Sequence, residues 1–108
     1  MDVNKIRNDF PNSKVGFVIT HDPFTYDAEG NFESYYERIK EVCDKWDVSY
    51  LDLYAKNNSD TGVNVRDDDM RKLYFGTESK PDGDGTHPNE LGYQAIYVEP
   101  MIPWLKSL

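Results

Sequence analysis

The sequence predicts a first β-strand at Lys14-Val15-Gly16-Phe17-Val18-Ile19-Thr20. Its nearly continuous apolar character and its β-branched residues are typical of a strand buried on both faces, as in a parallel sheet. The sequence predicts a second strand at Val48-Ser49-Tyr50-Leu51-Asp52-Leu53-Tyr54, with a long helix between the two. Strand, helix and strand in this order form a βαβ unit, so we expect the two strands to be parallel.

The helix between these strands has the clearest periodicity in the chain. Asn31 stands just before it and is predicted to be its N-cap. Cys43, the single cysteine, has no partner for an internal disulfide and lies on the apolar face, so we expect it to be buried and without a catalytic role. The apolar residues that recur at steps of three and four are Phe32, Tyr35, Tyr36, Ile39, Val42, Cys43 and Trp46.

Weaker patterns surround this unit. Residues 1–10 have a weak helical spacing that Pro11 ends. Residues 70–75 offer a short apolar face, enough for one or two helical turns. The rest of residues 55–83 has no sustained period, and we expect a long loop there.

A last helix is predicted to begin near Glu90. Pro100 and Pro103 should make it irregular, so that it either kinks or restarts at these positions. Its predicted inward residues are Leu91, Ala95, Ile96 and Val98.

Length and composition bound the kind of protein. A chain of 108 residues with 38% hydrophobic residues has room for one domain, or for part of one, with a modest core. The net charge of −8 argues against a nucleic-acid partner, because phosphate binding requires clustered Lys and Arg. The polar opening Met1-Asp2-Val3-Asn4 is not a signal peptide, and no apolar run approaches the length of a membrane span. We expect a soluble protein, and the sequence does not determine its compartment.

The chemically most informative stretch is Asp84-Gly85-Thr86-His87-Pro88-Asn89, followed by Gly92-Tyr93. Asp84 stands three residues before His87, in a turn that leads into the last helix. A carboxylate in this position can accept a hydrogen bond from one ring nitrogen and fix the tautomer, while the other ring nitrogen acts as a general base. Asn89 is predicted to cap the helix. The alternative is that all these residues serve only the turn and the cap.

The whole string resembles the terminal block of the SGNH hydrolases, also called the GDSL lipase/esterase family. The likeness extends to the strand after Pro11-Asn12-Ser13-Lys14, the aromatic helix, the strand ending in Leu51-Asp52-Leu53, and Tyr74-Phe75. The resemblance implies a flavodoxin-like three-layer α/β/α sandwich with parallel strands. It also implies hydrolysis of an ester, often an acetyl group on a carbohydrate or a lipid ester, without a cofactor. His87 would be the general base, and Asp84 would orient it.

The chain departs from the family at the nucleophile. Its serines, Ser13, Ser34, Ser49, Ser59, Ser79 and Ser107, do not stand in a Gly-Asp-Ser turn, and no Gly-x-Asn-Asp string supplies the oxyanion donors. Residues 1–108 therefore resemble the C-terminal half of one domain, which predicts no esterase activity alone and either self-association or a complementing chain. The alternative function is a non-catalytic α/β module for protein interaction or carbohydrate binding.

Other candidate sites have weaker patterns. His21 follows a predicted strand, where α/β folds place ligand sites, although a histidine there more often packs a loop. Phe24 and Tyr26 lie in the next loop and are predicted as weak substrate contacts. Asp82-Gly83-Asp84-Gly85 lacks the further ligands of a calcium loop, and Asp67-Asp68-Asp69 is predicted to be a solvated face. His21 and His87 could share a metal with Asp22 or Asp84, but the two histidines are too far apart in the sequence to judge this, so we predict no metal.

Overall fold

The computed structural model describes residues 2–23, 30–57, 63–76 and 87–108. The chain is a mixture of helix and strand. In chain order, the elements are α1 (Val3–Asp9), β1 (Gly16–Ile19), α2 (Phe32–Lys45), β2 (Ser49–Asp52), α3 (Leu53–Asn57), α4 (Asp68–Phe75), α5 (Glu90–Gly92), a π-helical segment (Tyr93–Val98) and α6 (Glu99–Ser107).

The two strands form a parallel pair, as the βαβ pattern predicts. Gly16 pairs with Ser49, and the register continues to the pair of Ile19 and Asp52. Within the described residues these are the only strands of the sheet. Alternate side chains point to opposite faces of a strand, so each strand contributes to two hydrophobic clusters.

The two clusters divide the core between the faces of the sheet. Val18 and Leu51 pack with one cluster, and Phe17 and Tyr50 pack with the other. The first cluster is built on Leu51, Leu53, Val65, Phe75 and Ile96, and the second on Val3, Cys43 and Val48. Helices thus bury apolar surface against both faces of this small sheet.

The second strand is shorter than its sequence predicts. β2 ends at Asp52, and the next residues turn at once into α3. The side chain of Asp52 accepts a hydrogen bond from the backbone N–H of Ala55 at 2.9 Å, which is the contact of an N-cap residue. The prediction that Leu53 and Tyr54 extend the strand was therefore wrong.

Helix α2 matches its predicted extent, and Asn31 is its N-cap residue as predicted. Asn31 already has helical backbone angles (φ −69°, ψ −24°), and among the described residues its side chain makes no capping bond to the helix. The inward placement of Tyr35 was wrong. Tyr35 is 65% exposed, whereas Tyr36 and Cys43 are buried. The buried side of α2 runs through Tyr36 and Cys43, and Tyr35 lies on another side of the helix.

The C-terminal helix is continuous through both prolines. Pro100 lies in the first turn of α6 and Pro103 lies inside it. Ile96 is buried as predicted, but Leu91 and Val98 are exposed, so their predicted inward placement was wrong. The buried positions of this region are Gly92 and Ile96, so the inward side is rotated away from Leu91. The π-helical segment then changes the rotation per residue before Val98. Among the described helices, none has the length and apolarity needed to cross a membrane.

Candidate functional site

The carboxyl ends of β1 and β2 place three polar side chains at the same edge of the sheet. His21 and Asp22 follow β1, and Asp52 is the last residue of β2. This edge is where parallel α/β folds commonly bind ligands. Each of the three side chains has a defined partner here.

His21 joins the end of β1 to the C-terminal part of the chain. Its Nδ1 shares a hydrogen bond of 2.5 Å with the hydroxyl of Tyr97. Its ring packs on Phe75, with centroids 5.3 Å apart. These contacts are those of a packing residue, and the prediction that His21 contacts substrate stays a prediction.

Asp22 forms an ion pair that the sequence analysis missed. Its carboxylate accepts hydrogen bonds from Arg66, at 2.6 Å from Nε and 3.4 Å from Nη2. The Asp22 side chain is only 2% exposed, and that of Arg66 is 50% exposed. The hydrogen bond to Asp22 raises the pKa of Arg66. The available signal was a carboxylate close to the end of an apolar strand, because a charge that is buried there requires a partner.

Asp52 is held by an aromatic group on α2. The hydroxyl of Tyr36 donates a hydrogen bond of 2.5 Å to its Oδ2. The Tyr36 ring in turn packs on Tyr54, with centroids 4.5 Å apart. Burial, together with this hydrogen bond, raises the pKa of Tyr36 to about 12. This carboxylate therefore serves both a buried phenol and the first turn of α3.

The turn that carries His87 is anchored on α4 by Asn89. The Asn89 amide donates hydrogen bonds to the carbonyl oxygens of Leu73 (2.9 Å) and Gly76 (2.6 Å), and its Oδ1 accepts one from the N–H of Gly92 (2.8 Å). The predicted cap is thus confirmed, and the same side chain also closes the end of α4. His87 itself is exposed.

Gly92 is required because the backbone of α5 lies very close to the backbone of α4. A Cβ at this position would lie 2.2 Å from the carbonyl oxygen of Tyr74 and 2.9 Å from Pro88 Cβ. A side-chain carbon cannot lie only 2.2 Å from the carbonyl oxygen of Tyr74, so only glycine fits at this position. Two members of the motif, Asn89 and Gly92, therefore have a clear packing role.

The structure brings the His87 turn to the neighbourhood of the strand ends. Asn89 is bonded to Gly76, and the preceding residue, Phe75, packs against His21. Asp84, Phe24, Tyr26 and the stretch 82–85 lie outside the described residues. The contact predicted between Asp84 and His87 therefore stays a prediction.

The remaining candidates have ordinary structural roles. Cys43 is 2% exposed, and burial raises the pKa of its thiol, so the prediction of a buried residue is confirmed. In the acidic run, Asp67 caps α4 through the N–H of Met70 and Asp68 pairs with Arg71. Across the described part of the chain, no group of three or more His, Cys, Asp or Glu side chains could hold a metal ion.

Comparison with known proteins identifies no relative of this chain. The chain matches no family model, and the searches of curated proteins and of solved structures find no significant match.

Proposed function

We propose that this chain supplies the histidine and aspartate of an SGNH-type serine esterase site, and that a second polypeptide segment supplies the nucleophile. The observation that carries the proposal is the anchored turn: Asn89 fixes its backbone to α4 while the His87 side chain stays exposed. A general base needs such a fixed backbone and an accessible ring nitrogen.

The proposed fold is the flavodoxin-like sandwich of that family. Its support is the parallel pairing of β1 with β2 and the two hydrophobic clusters on opposite faces of the sheet. Within the described residues, β1 pairs with a strand on one side only. A further parallel strand beside β1 would extend the sheet, as doubly wound folds require.

The proposed chemistry is acyl transfer through a serine. Nε2 of His87 accepts the proton of the serine hydroxyl as its oxygen attacks the ester carbonyl carbon. The tetrahedral intermediate collapses, and the alcohol leaves with that proton. Water then attacks the acyl-enzyme, with His87 again as the base, and releases the acid and the free serine. Asp84 accepts a hydrogen bond from Nδ1–H and stabilises the imidazolium ion.

The decisive experiment adds the second polypeptide segment that is proposed to supply the nucleophilic serine. The reading frame upstream of Met1 is examined for a strand followed by Gly-Asp-Ser and a later Gly-x-Asn-Asp, and that segment is co-expressed with this chain. The complex should hydrolyse p-nitrophenyl acetate and react with a fluorophosphonate at the serine. His87→Ala should abolish hydrolysis, and added imidazole should restore part of it.

The chain alone gives a complementary test. It should not turn over p-nitrophenyl acetate, because without a nucleophile there is no acyl-enzyme. Turnover that disappears in His87→Ala would contradict the proposed division of the site. By long-range ¹⁵N–¹H correlation, the His87 ring should be a single tautomer protonated at Nδ1, and Asp84→Asn should disturb it.

A second candidate function has its own observation. Asn89 and Gly92 are both explained by the packing of α4 against α5, so the motif is also compatible with a non-catalytic α/β module. In that case, Asp84→Asn should leave the tautomer of His87 unchanged. An upstream region with an ordinary promoter and start site would agree with that result.

A further inference from the structure

Helix α6 has apolar residues on two faces. Met101 and Trp104 pack inward against the larger hydrophobic cluster. On another face, Val98, which directly precedes α6, and Ile102 and Leu105 within it are 41%, 49% and 53% exposed; we call these three residues the α6 stripe. A helix of a monomeric domain normally presents a polar surface on its outer face, so this second apolar face requires an explanation.

The spacing of the α6 stripe is that of a helix–helix seam. The residues are separated by four and then three positions, which is the alternation of core positions in a heptad repeat. Scattered exposed apolar residues are ordinary on protein surfaces. A regular stripe along one helix is different, because it can pack against a stripe of the same spacing on a second helix.

Charged residues beside the stripe indicate which helix fits. Glu99 directly follows Val98, and Lys106 directly follows Leu105, so both occupy the same flanking position of the heptad. Among the described residues neither forms an ion pair. When two such helices pack antiparallel, this flanking position faces its own counterpart across the seam. Glu99 then lies opposite Lys106 of the second copy, and Lys106 opposite Glu99.

We propose that the α6 stripe pairs with the α6 stripe of a second copy of this chain, antiparallel and about a twofold axis. The complementary charges select the register in which Ile102 packs against Leu105 of the second copy. An isologous contact of this kind is closed, so it ends at a dimer. The seam is short, and we expect a weak, concentration-dependent association.

Sedimentation equilibrium up to millimolar concentration tests the dimer. The wild-type chain should shift from monomer to dimer as concentration rises, and Ile102→Glu should weaken this association by about tenfold or more, since it places carboxylates in the seam. Tyr35→Glu is the matched control, because Tyr35 is an exposed apolar residue on α2. Circular dichroism should show that both variants stay folded.

Charge exchange tests the antiparallel arrangement. Glu99→Lys alone and Lys106→Glu alone should each dimerise more weakly than the wild type, because like charges then face each other. A mixture of the two variants should form a heterodimer, since Lys then faces Glu on both sides. A chain that stays monomeric, an association that Ile102→Glu leaves intact, or variants that fail to pair when mixed would overturn the proposal. None of these results depends on the esterase site.

Discussion

The side-chain amide nitrogen of Asn89 lies 2.6 Å from the carbonyl oxygen of Gly76 and donates a hydrogen bond to it. The same side chain donates to Leu73 and caps α5 through Gly92. One residue thus satisfies backbone groups at the end of one helix and at the start of the next. The last carbonyls and first N–H groups of helices otherwise lack partners.

Asn89→Ala should lower the free energy of unfolding by about 2–4 kcal/mol, because it removes one capping bond and two further hydrogen bonds. Urea denaturation measures the change. Asn4→Ala, at an exposed position of α1, is the control and should change stability little. A loss at position 89 no larger than that of the control would mean that the Asn89 bonds do not form in solution.

The parts of the fold that the sequence predicted are those specified by local patterns. The β1–α2–β2 unit follows from apolar runs and helical spacing, and the cap at Asn89 follows from its place before Glu90. The early end of β2 was missed because the helix-initiating role of Asp52 competes with an apolar run through Tyr54. A local side-chain contact decided the boundary.

Long-range contacts account for most of what was missed in the site. Asp22 and Arg66 are 44 positions apart in the chain, and no periodicity connects them. The π-helical segment likewise has no local signal, and the burial predicted for Leu91 and Val98 from regular helical spacing was wrong. These features depend on how elements pack, which a single sequence does not encode in its spacing.

The end of α2 offers a stabilising substitution. Asp47 has φ 53°, and the N–H of Val48 bonds the carbonyl of Cys43 at 2.8 Å, as in a Schellman motif that usually has glycine at this position. Asp47→Gly should raise the free energy of unfolding by about 0.5–1 kcal/mol, because it relieves left-handed backbone strain and removes an acidic group from the helix C-terminus.

The control for that substitution lies on the same helix. Asp44→Gly removes the same kind of acidic group from the last turn of α2 but at a position with helical backbone, so it should not give the gain in stability expected of Asp47→Gly. Asp47→Asn separates the two causes, since it removes the charge and keeps a side chain. Chemical denaturation of the three variants measures both effects. Destabilisation by Asp47→Gly would show that residue 47 is not left-handed in solution.

The raised pKa of Tyr36 predicts how the stability of the fold depends on alkaline pH. This pKa is raised from 10.0 to about 12, so the folded state favours the protonated phenol. The stability from this shift is complete below about pH 10 and is lost as pH rises through about 12. Tyrosinate absorbance should show a late-ionising phenol that is absent in Tyr36→Phe and retained in Tyr35→Phe. If Tyr36→Phe leaves the late transition in place, another phenol is responsible.

The ion pair of Asp22 with Arg66 should contribute more than a surface pair of similar geometry. Nε of Arg66 lies 2.6 Å from a carboxylate that is 2% exposed, whereas Lys5 and Asp9 are 2.8 Å apart with side chains 70% and 50% exposed. A double-mutant cycle with Asp22→Asn and Arg66→Gln should give a coupling energy of about 1–2 kcal/mol, since a buried carboxylate loses its charged donor. The Lys5–Asp9 cycle should give below about 0.5 kcal/mol. Equal coupling energies in the two cycles would show that burial of Asp22 does not strengthen the pair.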